Sequence, residues 1–241
     1  MKNKEYDSTG KIIGTIKLSI IAFIIFTLGF IPLVIGGKIV LMYISFTEIW
    51  HFFLLPVLIY IGIGLTLWYQ LLISGLIIHI FKIKYEPGEY HYTFNNKTTF
   101  KWVLFCILYT PMRKLLEIFP MGGMKYRYYR LLGMKIGENT LVGGTIMDPC
   151  LTEIGDNCTM GLYSVIYGHI HDYEKTTLLL DRIKIGDNVV IGAGVFIMPG
   201  AIIENDVKIA TGAVVTKGQV LKKGNVYAGI PAKTIKTKNK N

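Results

Sequence analysis

Two long stretches of the chain, Leu18–Gly37 and Ile49–Phe81, contain no charged residue. As helices, both are long enough to cross a hydrocarbon layer about 30 Å thick. A cleaved signal peptide is the alternative for the first stretch, but residues 1–17 are long and polar, and no small-residue cleavage site follows Gly37. We therefore expect two transmembrane helices within residues 1–84.

Basic residues flank the pair of apolar stretches on the outside. They are Lys2, Lys4, Lys11 and Lys17 before the first stretch and Lys82 and Lys84 after the second, with only Lys38 between. Positive charges favour the cytoplasmic side, so this pattern predicts a multi-pass membrane protein whose N-terminus and C-terminal part are both cytoplasmic. Eight of the ten excess positive charges lie in residues 1–134, which favours anionic lipid over nucleic acid as the partner.

Residues 85–134 mix charges with large apolar side chains. Thr99–Phe119 predicts an amphipathic helix that lies in the membrane interface and is broken near Pro111. Lys125–Arg130 alternates cations with tyrosines, as in an interfacial collar. Such a segment could also stack on single-stranded nucleic acid, but no pattern of a nucleic-acid-binding fold surrounds it.

From Ile136 onward, aliphatic residues recur at every sixth position, which suits neither an amphipathic helix nor a hairpin array. Eleven of the twelve first positions are aliphatic or Met, and Asp148 is the exception. The positions are Ile136, Val142, Asp148, Ile154, Met160 and Ile166, then Ile185, Ile191, Ile197, Ile203, Ile209 and Val215. This period predicts a triangular coil of three short strands, with the aliphatic residue inside and Gly or Asn at the corners.

Asp172–Lys184 interrupts the repeat, while the blocks on either side keep their own phase. We expect this segment to leave the prism as a loop and return, and loops on a rigid scaffold are where function concentrates.

About the last 105 positions resemble the hexapeptide-repeat, left-handed β-helix acyltransferases. Val226–Lys233 is similar to the family's closing G-x-P-A-K segment, and Ile209–Lys217 is similar to the coil before it. Asp148–Asp156, together with the apolar helices in front, resembles the membrane-associated subset, including acyltransferase-like regions of polyamino-acid synthetases. The resemblance implies a homotrimer that binds acyl-CoA in the groove between neighbouring prisms.

The resemblance also implies a histidine general base at the interruption, where the sequence contains His169 and His171. Spacing in the membrane-associated subset selects His169, and spacing in the soluble sugar acetyltransferases selects His171. We prefer His169, with His171 as helper or alternate; strict alternation puts both on one face of an extended segment. Asp172 or Glu174 could fix the imidazole tautomer.

For the donor, the resemblance implies contacts from coil backbone and tail side chains. The matching residues are Gly192, Ala210, Thr211, Thr216, Lys217 and Lys233. The two lysines could meet phosphates as point charges, or could be ordinary solvated lysines.

Two other classes share this coil. Carbonic anhydrases need three zinc-binding histidines at a wider spacing, and the repeat region has two in an H-x-H pair, so we expect no metal. Cys106, Cys150 and Cys158 have no metal-binding spacing and are interpreted as small core residues in a reducing compartment. A non-catalytic trimeric scaffold or membrane adaptor is the alternative function, because a fold does not guarantee an activity.

The sequence thus predicts a mainly β protein, a left-handed parallel β-helix of about four coils preceded by two transmembrane α-helices and an interfacial helical segment. The expected domains are the anchor at 1–84, the linker at 85–134, the β-helix at 135–220 and a CoA-binding tail at 221–241. The expected reaction is transfer of an acyl group, most simply from acetyl-CoA, to a hydroxyl or amine. The expected acceptor is a membrane-associated glycan, lipid-linked intermediate or cell-wall precursor.

Overall fold

A computed structural model describes residues 8–45, 47–119 and 123–236. The chain divides into two compact units, one of residues 1–83 with 102–128 and the other of residues 84–101 with 129–241. The segment between the apolar helices and the repeat is therefore shared: residues 84–101 belong with the repeat, and most of the next helix belongs with the apolar helices.

The first unit is helical. Its helices are α1 (Ser8–Leu28), α2 (Ile31–Tyr43), α3 (Ile49–Ile80), most of α4 (Lys97–Ile118) and most of α5 (Gly123–Leu131). Two helical stretches of 32 residues each, Ile12–Tyr43 and Ile49–Ile80, are long and apolar enough to cross a membrane by length and composition. Their large apolar side chains are widely exposed, Phe23 by 72% and Phe53 by 78%.

The first apolar stretch is not one uninterrupted helix. It breaks between α1 and α2 at Gly29 and Phe30, just before a proline in the first turn of α2. The break is stabilised by α3, because Gln70 Nε2 donates to the carbonyl of Phe26 at 2.8 Å. Thr66, Gln70 and Ser74 are the buried polar residues one turn apart on this side of α3.

The predicted break near Pro111 is wrong. Helix α4 runs through it from Lys97 to Ile118, after Asn96 Oδ1 accepts backbone N–H groups of the first turn. A proline removes one N–H and crowds one carbonyl, and packing of the buried Phe105 and Leu108 side chains offsets that cost.

The second unit is a prism of short parallel strands with three faces. Face one contains β2 (Lys135–Ile136), β5 (Thr152–Ile154), β10 (Ile183–Ile185), β13 (Ile202–Ile203) and β16 (Val220–Leu221). Face two contains β3 (Leu141–Val142), β6 (Thr159–Met160), β11 (Val190–Ile191), β14 (Lys208–Ile209), β17 (Val226–Ala228) and the antiparallel β18 (Lys233–Lys236). Face three contains β4 (Thr145–Ile146), β7 (Val165–Ile166), β12 (Phe196–Ile197) and β15 (Val214–Val215). These strands form four coils and the start of a fifth, so the predicted left-handed β-helix is confirmed.

The inward residue of each strand stacks on its equivalent in the next coil and is buried, as Ile185 does on Ile203. Three residues after most of these stacked positions the backbone turns with positive φ. The turn residues are Asn139, Asn157, Asn188, Asp206 and Gly224 at the first corner, Tyr163, Gly194 and Gly212 at the second, and Gly200 and Gly218 at the third. Asn and Gly adopt this conformation at the lowest cost, which explains their recurrence in the sequence.

The six-residue register assigned to the first coil is wrong at one position. Ile146, not Asp148, pairs with Ile166 and fills the prism. The second corner of this coil is shortened at Gly144, where a Cβ would collide with Ser164 of the next coil. A 3₁₀ turn, Pro149–Leu151, then restores the register. Asp148 is thereby placed outside the hexad series, at the end of face three.

The interruption leaves the prism as predicted, but it is a β-hairpin rather than an irregular loop, and its strands run from His169 to Leu180 instead of the predicted Asp172–Lys184. Strands β8 (His169–Asp172) and β9 (Thr177–Leu180) pair antiparallel, and β1 (Gly88–His91) adds to the outer edge of β9. The hairpin replaces the third corner of the second coil, since it begins three residues after Ile166.

Candidate active site

His169 begins the hairpin and contacts a buried carboxylate. Its Nδ1 lies 2.6 Å from Oδ2 of Asp148, which is fully buried, while 12% of the His169 side chain is exposed. Two side chains 21 residues apart in sequence meet because β4 and β7 are neighbours on face three and both end at this corner. A buried carboxylate beside an imidazole fixes which ring nitrogen carries the proton.

Two further donors hold the Asp148 carboxylate. The Tyr85 hydroxyl donates to Oδ1 at 2.7 Å, and the backbone N–H of Gly168 donates to Oδ2 at 2.8 Å. Gly168 has no room for a side chain, because a Cβ there would lie 2.7 Å from Cβ of Asp148. The carboxylate therefore has donors on both oxygens, as a buried charge requires.

His171 lies beside His169 on the same face of the hairpin, with ring centroids 5.7 Å apart. Aromatic rings flank it, Tyr92 edge-on at 5.0 Å and Tyr173 stacked at 6.0 Å. Partial burial, followed by the neighbouring His169, lowers the pKa of His171 from its usual value, and Asp148 opposes this shift. His171 therefore favours the neutral imidazole more than a solvated histidine does.

The carboxylate beside His169 Nδ1 is Asp148, where the sequence led us to expect Asp172 or Glu174. Asp172 accepts backbone N–H bonds from Glu174 and Lys175 in the hairpin turn, and these bonds, led by that from Lys175, lower the pKa of its carboxyl. Glu174 is exposed in the same turn. Asp148 could have been singled out from the sequence, because it is the charged residue in an assigned six-residue series whose other members are aliphatic or Met.

The residues predicted to contact CoA lie along the borders of face three and in the tail. Gly192, Ala210 and Thr211 follow β11 and β14 at the second corner; Thr216 and Lys217 follow β15 at the third; Lys233 begins β18. The second corner is crowded, since a Cβ on Gly192 would lie 2.6 Å from the Thr211 nitrogen. Thr216 donates its N–H to Gln219 Oε1 at 2.9 Å and orders the third corner.

Cys150 lies close to the Asp148 carboxylate. Burial, together with the Asp148 charge, raises the pKa of its thiol to about 12, so Cys150 is a protonated packing residue at neutral pH. Across residues 8–45, 47–119 and 123–236, no cluster of three or more His, Cys, Asp or Glu side chains could hold a metal ion.

The six-residue period and the three-faced prism define a left-handed β-helix built from six-residue repeats. Residues 182–217 match the family model described as bacterial transferase hexapeptide (six repeats). No curated protein sequence matches the chain.

Solved structures are similar in fold. A maltose O-acetyltransferase from Clostridium difficile 630 is 22% identical with a TM-score of 0.50, and the match covers 64% of this chain and 94% of that one. A hexapeptide-repeat-containing acetyltransferase from Vibrio cholerae O1 biovar eltor, complexed with acetyl coenzyme A, is 21% identical over 53% of this chain and 84% of that one, with a TM-score of 0.44. The left-handed β-helix fold predicted from the six-residue period is thus also that of the maltose O-acetyltransferase.

Proposed function

We propose that this protein is an acyltransferase that moves an acyl group from acyl-CoA to a hydroxyl or amine, with His169 as the general base. The contact between His169 and the buried Asp148 carries the proposal. The repeat match and the fold of the maltose O-acetyltransferase support the reaction class.

Asp148 sets the tautomer that the reaction needs. With Nδ1–H donated to the carboxylate, the neutral imidazole has its lone pair on Nε2. As the acceptor oxygen or nitrogen attacks the thioester carbonyl, Nε2 takes its proton; the carbon–sulfur bond then breaks and the proton passes to the departing CoA thiolate. Asp148 stabilises the imidazolium that exists between these two transfers.

Acetyl-CoA is the simplest donor, and the residues along face three are the proposed contacts. Gly192, Ala210 and Thr211 would offer backbone to an extended donor, and Lys217 and Lys233 would offer charge to its phosphates. In the homotrimer that we propose, this face would meet a neighbouring prism. His171, Asp172 and Glu174 remain secondary candidates for contact with the acceptor.

The acceptor that we propose is membrane-associated, a glycan, lipid-linked intermediate or cell-wall precursor. The exposed apolar surface of the two 32-residue helical stretches supports a membrane location. Two spans would leave the N-terminus and the β-helix on the cytoplasmic side, where acyl-CoA is available.

The test is acyl transfer by the full chain in membranes. Purified protein in vesicles receives isotope-labelled acetyl-CoA and a membrane extract, and mass spectrometry follows the acyl mass into lipid-extractable and soluble acceptors. We expect His169→Ala to lower turnover at least about 100-fold, the usual contribution of a general base. His91→Ala, an exposed histidine of β1, is the matched control and should leave turnover unchanged.

Unchanged turnover in the His169→Ala protein would refute the assigned base. A well-folded wild-type trimer with no transfer to any acceptor would favour the non-catalytic scaffold. Label found only in soluble acceptors would refute the membrane-associated acceptor while leaving the reaction intact.

A further inference from the structure

Of the residues that form the site, Tyr85 is the farthest from His169 in the sequence. It lies five residues after α3 ends and before β1 begins, within the compact unit that contains the β-helix. Its side chain is 3% exposed, and its hydroxyl donates to Oδ1 of Asp148 at 2.7 Å inside the protein. No repeat or motif predicts this contact, which joins residues 63 positions apart.

We propose that Tyr85 is a positioning residue of the acyl transfer, because its hydrogen bond to Oδ1 sets how strongly the Asp148 carboxylate acts on His169. The inference rests on the proposed function and adds a residue from outside the β-helix strands to the same site. Tyr85 acts through Asp148 and touches no reacting atom.

Tyr85 and His169 contact different oxygens of the Asp148 carboxylate. Gly168 N–H and His169 Nδ1 both meet Oδ2, and the Tyr85 hydroxyl donates to Oδ1. Without this donor, more of the negative charge of the carboxylate would act on the imidazole. A donor to one oxygen thus tunes how strongly the other oxygen accepts.

Other titratable side chains lie near the Asp148 carboxylate. His171 lies beside His169, and the Cys150 thiol is packed against Tyr85 and stays protonated. The charge of Lys84 acts to lower the pKa of Cys150, against the effect of burial.

The segment that contains Tyr85 also contacts His171. Tyr92, one residue beyond β1, meets the ring of His171 edge-on. Through Tyr85 and Tyr92, the segment between α3 and α4 therefore contacts both Asp148 and His171.

The test compares wild-type protein with Tyr85→Phe in the full chain. Removing the hydroxyl should strengthen the His169–Asp148 hydrogen bond and the hold of Asp148 on the imidazolium. We expect the midpoint of the rising limb of the kcat/KM–pH profile to move up by about half a pH unit or more, with a downfield shift of the His169 Nδ1–H proton by NMR.

Tyr128→Phe is the matched control, because Tyr128 is equally buried and its hydroxyl bonds to Ser74 instead. It should move neither the midpoint nor the resonance. Replacing Tyr85 by a monofluorinated tyrosine, a stronger donor of the same shape, should move both in the opposite direction and serves if the Phe variant does not fold.

The proposal is overturned if Tyr85→Phe and Tyr128→Phe give the same midpoint and the same Nδ1–H resonance, or if the shift is toward lower pH. The NMR readout does not depend on turnover. A shifted resonance in a protein whose His169→Ala variant remains fully active would therefore refute the proposed base while leaving the Tyr85–Asp148–His169 coupling in place.

Discussion

Asp148→Asn is the most incisive perturbation of the proposed site, because it removes a charge and almost no volume. The new amide oxygen can replace Oδ2 as acceptor for His169 and Gly168, and the amide N–H₂ can face the Tyr85 hydroxyl, which then accepts. The geometry survives this exchange, and what disappears is the negative charge beside the imidazolium.

The magnitude follows from the contact distance and the burial. With Nδ1 and Oδ2 at 2.6 Å, the charge centres of the pair lie roughly 4 Å apart, and at an effective dielectric of about 20 their attraction is about 4 kcal/mol. A neutral amide retains part of it as a hydrogen bond, so the transition state loses about 2–3 kcal/mol. This predicts a decrease in kcat of about 30- to 150-fold.

The assay is steady-state release of CoA with saturating acceptor, combined with thermal unfolding to check that the variant is folded. Asp206→Asn, at a partly exposed carboxylate of the first corner, is the control and should be silent. Asp172→Asn tests the carboxylate expected from the sequence, and its effect should be well below that of Asp148→Asn. Asp148→Asn activity within threefold of wild type, or an equal loss in Asp172→Asn, would refute the reasoning.

Two further predictions follow from perturbed titrations. Because the pKa of His171 is lowered, the unfolded chain binds more protons than the native protein below its ordinary value of 6.5, so acidification destabilises the fold. His171→Asn should therefore lose less Tm than wild type between pH 7.5 and 5, and equal losses would contradict this. Because the pKa of Cys150 is raised to about 12, maleimide at pH 7.5 should label it more slowly in the native protein than after unfolding, and equal rates would contradict the raised pKa.

The sequence alone determined the features that repeat or stay local. The six-residue period fixes three strands per coil, because each inward residue must bury its side chain on the same position of the next coil. The two uncharged stretches are long enough to be recognised by length. The resemblance to the hexapeptide-repeat acyltransferases implied a histidine at the interruption, and His169 and His171 are the histidines that the sequence has there.

Only the tertiary structure decided what stands next to His169. Asp148 is 21 residues away and Tyr85 is 84 away from His169, and the stacking of coils and the path of residues 84–92 join them. The register error arose because a strict period has no means of showing a corner shortened at Gly144 and restored by a 3₁₀ turn. Burial explains why these partners matter, since a charge at Asp148 is tolerated inside the protein only with the hydrogen-bond partners that the fold supplies.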